Sequence, residues 1–196
     1  ERTGRTVRET LTGIGFLEAM TLVLTCEERT YDALLLPRGE SHVQLENPIS
    51  SEQTMLRVSV LPGLLDTLTV NAHRDYPQRL FEVGEVTVIT ETAETGAEEL
   101  RSVGGVVIGD RFGFTEARQA AEAVLRELGY AIRTANEAHP TFLPGRSAAV
   151  FARRGAEDEI RVGRLGELHP AVLDAFKLRY PASTFEIDLT ALTGER

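Results

Sequence analysis

The stretch Asn47-Pro48-Ile49-Ser50-Ser51-Glu52-Gln53-Thr54-Met55-Leu56-Arg57-Val58-Ser59-Val60-Leu61-Pro62-Gly63-Leu64-Leu65 joins an NPxSxE opening to an LRxSxLPGLL continuation. A further run, PxRxFEVGEV, follows from Pro77 to Val86. Pro62 suits the first turn of a helix, where its missing amide hydrogen costs nothing. Leu64, Leu65, Leu68 and Ala72 then form an expected buried stripe.

Outward from that helix, Val7, Leu11 and Ile14 have helical spacing within Arg5 to Ile14, and a strand is expected from Glu18 to Leu24. Thr25 and Glu28 form a capping-box pattern for a short helix ending near Leu36. Leu80 to Ile89 and Val103 to Ile108 read as a hairpin with a long acidic loop. Thr115 is the expected cap of a helix whose Ala117, Ala120, Ala121, Val124, Leu125 and Leu128 face the core, with Gly129 as its left-handed stop. A Pro- and Gly-rich loop follows from His139 to Arg146. Strands are expected at Ala148 to Arg153, Glu159 to Leu165 and Thr184 to Leu189, with a short helix opened by Pro170 before the last. Hairpin-spaced strands with helices between some of them predict an α+β domain on a mostly antiparallel sheet.

The chain has 196 residues and a formal net charge of −9. Its length fits one domain over 1–196, since no linker divides it. The charge disfavours a broad phosphate-binding face. No apolar run is long enough to span a membrane, which with the single Cys26 and scattered His42, His73, His139 and His169 predicts a cytoplasmic protein without a metal site.

In order and spacing, VRETLTGIGFLE from Val7 to Glu18, the stretch from Asn47 to Leu65, FEVGEV from Phe81, FTEARQAAEAVL from Phe114, HPTFLPGR from His139, GELHPAVL from Gly166 and FEIDL from Phe185 together resemble the beta subunit of archaeal-type phenylalanyl-tRNA synthetase, in its catalytic-like domain. The resemblance implies a class II aminoacyl-tRNA synthetase-like fold, a sheet flanked by helices. It also implies a fragment of a longer chain.

In the alpha subunits related to this family, cations neutralise phosphoryl charge. Laid against their second motif, Val88 stands at the phosphate-contacting arginine and Gly104 at the glutamate, with Glu91, Glu94, Glu98 and Glu99 between. Against the third motif, Glu186 and Asp188 replace glycines and Ala191 replaces an arginine. The resemblance therefore implies no catalytic, cofactor or metal residues in this domain. ATP and Mg2+ are expected through the alpha subunit, in an (alpha-beta)2 heterotetramer that charges tRNA(Phe) with phenylalanine. The implied subunit interface centres on Val7, Leu11 and Ile14, with Leu56, Leu64 and Leu68 behind it; the same residues would equally fill the domain's own core.

Arg146 fits either a carboxylate grip or an internal salt bridge, and His169 before Pro170 fits a helix cap. Ser50, Ser51 and Ser59 lack a nucleophile elbow. Two alternatives to an assembly module are a stand-alone class II ligase, with Arg57, Arg79 and Arg101 on phosphate, and an amino-acid sensor. In the sensor, Glu186 and Asp188 would favour a cation or amine.

Overall fold

A computed structural model describes residues 2–39 and 42–194. In chain order the elements are helix α1 (Arg2–Gly13), strands β1 (Leu17–Glu18) and β2 (Leu24–Thr25), and helix α2 (Glu27–Thr30), continued by a 3-10 turn at Asp32–Leu34. Next come β3 (Met55–Leu56), α3 (Leu61–Val70), the hairpin β4 (Gln78–Ile89) and β5 (Ala97–Ile108), and α4 (Phe114–Glu127). The chain continues through β6 (Ala131–Asn136), β7 (Phe142–Arg153), β8 (Ile160–Leu168), α5 (Pro170–Ala175), β9 (Ala182–Asp188) and α6 (Leu189–Thr193).

Seven strands form one sheet in the order β1-β4-β5-β9-β8-β7-β6. All of its pairings are antiparallel except β1 with β4. Successive side chains of a strand point to opposite faces. In β9 this sends Phe185 and Ile187 to one core and Ala182 to the other. The first core packs Val7 and Leu11 of α1 and the Ala117, Ala121 and Leu125 stripe of α4 against Phe81, Val103 and Phe185. The second packs Leu64, Leu65 and Leu68 of α3 and Val172 of α5 against Val106, Ile108 and Phe142. An α+β architecture with a mainly antiparallel, helix-flanked sheet is therefore present.

Several local expectations are corrected. The continuous strand from Glu18 to Leu24 is replaced by two short pieces. After β1 has paired Leu17 with Leu80 and Glu18 with Phe81, the chain is drawn off the sheet by a Thr21 to Glu82 hydrogen bond of 2.6 Å. Thr25 is not a helix cap, because it is held extended opposite Met55; Cys26 takes the cap position without a side-chain bond. Ala72 is exposed, since α3 ends at Val70 and Asn71 closes it through a bond from Nδ2 to the Thr67 carbonyl.

Thr115 also misses the cap position, which belongs to Gly113. Two carboxylates satisfy the free amides there instead: Glu116 accepts from Gly113 and Glu167 from Phe114, each at 2.9 Å. Gly129 does take the left-handed conformation, at φ +84°. The His139 to Arg146 loop is largely strand, since β7 begins at Phe142; its irregularity survives as a register shift between Phe142 and Ser147. The sequence pattern predicts no strand at β6. Its sequence AIRTAN has no clean apolar alternation, and it forms by adding to the edge of β7.

Candidate functional site

A cleft of about 320 Å³ opens on the sheet face that carries the second core. Its floor is built by β4, β5, β8 and β9. Because Thr184, Glu186 and Asp188 alternate with core-facing Phe185 and Ile187, the period of β9 alone aims three polar side chains at the cleft. Its walls come from the segment around α2, through Thr30, Leu34 and Leu36, and from His139 and Phe142 at the start of β7.

Glu186 is partly open through the cleft mouth, while its carboxylate lies deep among protein atoms. Oε1 accepts from the Val60 amide at 2.9 Å and Oε2 from the Ser59 hydroxyl at 2.7 Å. The carboxylate thereby anchors the start of α3 to the sheet. Burial pushes its pKa up; the bonds from Val60 and Ser59 and the charges of Arg164 and Arg57 offset this only in part. Arg164, opposite Glu186 in the β8–β9 register, donates from its guanidinium to Nε2 of His139. Burial and then the Arg164 charge push the His139 imidazole down to about 4, so it is neutral near pH 7.

Of the positions laid against the two motifs, some line this cleft. Val88 lines it from β4, where it pairs with Glu98. Gly104 lies against α3: a Cβ there would come within 2.4 Å of Val60 Cγ2, so a longer side chain has no room. Glu91 and Glu94 sit at the exposed hairpin tip, but Glu98 and Glu99 belong to β5 rather than to the expected loop. Ala191 is exposed on α6.

The arginines of the ligase alternative are each engaged within the chain. Arg57 is buried in an ion pair with Glu82 at 2.8 Å and also donates to the Glu85 carbonyl. Arg101 pairs with Glu85 at 2.9 Å, and Arg79 lies over the Phe112 ring. Among the described residues, Arg164 is the one guanidinium lining the cleft, and no group of three or more His, Cys, Asp or Glu is arranged to hold a metal.

Of the candidate interface residues, Val7, Leu11, Leu64 and Leu68 fill the chain's own cores, Leu56 is half-buried, and Ile14 is 41% exposed. The structure instead exposes a neighbouring apolar ridge: Leu17 at 70%, Met20 at 94%, Leu22 at 70% and, from α3, Val70 at 74%. Met20 borders two grooves, one shared with Leu17 and the other with Leu22 and Val70. Period-based reading missed the ridge because it treats the Glu18 to Leu24 apolar residues as one paired strand. Arg146 forms an internal ion pair with Glu167 at 3.5 Å, and His169 caps α5 by accepting from the Ala171 amide at 3.1 Å. Among the described residues no helix is long and apolar enough to cross a membrane.

Comparison with known proteins agrees with the resemblance. Residues 1–189 match the family described as the phenylalanyl tRNA synthetase beta chain CLM domain. A phenylalanine–tRNA ligase beta subunit of Thermococcus kodakarensis is 37% identical over 203 residues, covering 96% of this chain and 34% of that protein. Those of Methanopyrus kandleri and Methanocaldococcus jannaschii are 40% and 33% identical, over 95% and 93% of this chain and 31% and 32% of theirs. The chain thus spans about a third of the length of these relatives. With residues 1–189 matched, the chain belongs to the phenylalanyl tRNA synthetase beta chain CLM domain family.

Proposed function

We propose that this chain is a non-catalytic assembly module of a phenylalanine–tRNA ligase, docking the alpha subunit that binds ATP and Mg2+ and makes the adenylate. The observation that carries the proposal is the exposed ridge of Leu17, Met20, Leu22 and Val70. Contiguous apolar surface of this kind, rimmed by polar residues, marks a protein contact. Family membership supplies the occupant. In this reading the complex is an (alpha-beta)2 heterotetramer in the cytoplasm, tRNA(Phe) is held mainly by other parts of it, and the fold is of class II synthetase type. The pairing of Gly84 to Val88 with Glu98 to Ser102 as one hairpin supports that fold. The engagement of Arg57 and Arg101 with acidic partners supports the inert role.

The test is co-purification of the full-length beta chain with its alpha subunit, using Met20→Asp and Leu22→Asp. Both positions are exposed, so the variants should keep the parent melting temperature and lose most of the bound alpha subunit, with aminoacylation falling in parallel. Normal capture of alpha by both variants would overturn the docking assignment. ATP–pyrophosphate exchange by the beta chain without alpha would overturn the inert one.

A further inference from the structure

The cleft carries hydrogen-bonding capacity that the chain itself leaves unspent. Most of its hydroxyls are used: Ser59 donates to Glu186 at 2.7 Å, Ser102 to the Ile187 carbonyl at 3.2 Å, Thr141 to the Leu34 carbonyl at 2.7 Å and Thr184 to the Gly105 carbonyl at 2.7 Å. Asp188 turns Oδ1 to the Ala191 amide at 3.0 Å. Three lining residues are left over: Arg164, His139 and Thr30.

A guanidinium can only donate, so the contact between Arg164 and Nε2 makes that nitrogen an acceptor and places the imidazole proton on Nδ1. Nδ1 has no partner, and neither has the hydroxyl of Thr30, a residue only 1% exposed. Arg164 spends one arm on His139 and keeps further N–H groups. Its cross-strand neighbour Glu186 is turned to Ser59 and Val60 instead. Leaving such groups unpaired in a buried site is unfavourable. The rest of the wall is apolar, through Leu34, Leu36, Val86, Val88 and Leu100.

We propose that the cleft binds a small organic carboxylate with a branched or aromatic apolar body. The carboxylate accepts from the spare N–H groups of Arg164, and the body lies against Leu36, Val86 and Leu100. A volume near 320 Å³ suits a ligand of that size. This reverses the preference for an amine expected from Glu186 and Asp188 alone, because both Glu186 oxygens and one Asp188 oxygen are already occupied within the chain. The proposal does not depend on the assembly role, since it concerns the cleft and not the ridge.

The experiment is calorimetric titration of the purified protein with isovalerate and phenylacetate, beside isoamyl alcohol, isoamylamine and leucine. Both carboxylates should bind, with the alcohol and the amine about tenfold weaker or worse. Arg164→Gln should weaken the carboxylates roughly ten- to hundredfold. Val88→Trp, at a half-buried wall position, should block them by filling the cleft and guards against misfolding of the first variant. The proposal is overturned if neither carboxylate binds, if only the amine or only leucine binds, or if carboxylate binding survives both substitutions unchanged.

Discussion

Arg57 and Glu82 are 4% and 3% exposed and joined at 2.8 Å, with Thr21 bridging them from 2.9 and 2.6 Å. Removing one member strands the other charge in the interior. Arg57→Met or Glu82→Ala should therefore cost about 3–5 kcal/mol in urea unfolding, whereas the double substitution should cost less than the sum. Glu186 and His139 set opposing pH dependences. Burial holds the Glu186 carboxyl above its ordinary 4.5, so its contribution to stability is full below that value and is lost as pH rises through the folded pKa. Glu186→Gln should flatten this decline above pH 4.5. His139 is pushed down from 6.5 to about 4, so the unfolded chain takes up its proton first and stability falls as pH drops from 6.5 towards 4. His139→Gln should remove that acid-side loss; melting temperatures across pH check both.

At the scale of elements, the start of α4 is satisfied from within only at Gly113, through Glu116, and Glu167 reaches from β8 to serve the Phe114 amide. The negative charge also faces the positive end of the helix. Glu167→Ala should cost about 1 kcal/mol, measured by chemical denaturation, and loosen α4 against β8. The β8–β9 contact is tighter still: a Cβ at Gly163 would meet the Glu186 carbonyl oxygen at 2.0 Å and the Ile187 Cα at 3.0 Å. Backbone cannot yield there without spreading the strands. Gly163→Ala should destabilise the chain by several times the helix-cap loss and distort the cleft floor.

Across the whole molecule, one sheet carries both cores, and α1 with α4 on one side is separated from α3 with α5 on the other only by that layer. Unfolding either side exposes strands that the other needs. A single cooperative transition is expected, with backbone dichroism and tyrosine fluorescence melting together; separate transitions would show that 1–196 is not one folding unit. The acidic balance of −9 acts at this scale too, since it disfavours non-specific contact with the phosphate backbone.

Long, strongly periodic segments were legible in the sequence because burial there follows local spacing: the Ala117 to Leu125 stripe, the Leu64 to Leu68 turn, and the hairpin on either side of the acidic tip. The His169 cap was legible too, since it bonds within two residues of itself. The ordered motifs gave the family. What depended on distant partners was not legible. Thr25 lost its cap role to a strand pairing with Met55, Glu167 capped a helix 53 residues away, and β6 existed only because β7 had a free edge. The chemistry of the cleft belonged to the same class: sequence shows Glu186, but only the tertiary arrangement spends it on Ser59 and Val60 and leaves Arg164 with donors to spare. Local spacing fixes which face a side chain takes, while hydrogen bonds and charges are allotted only once remote strands meet.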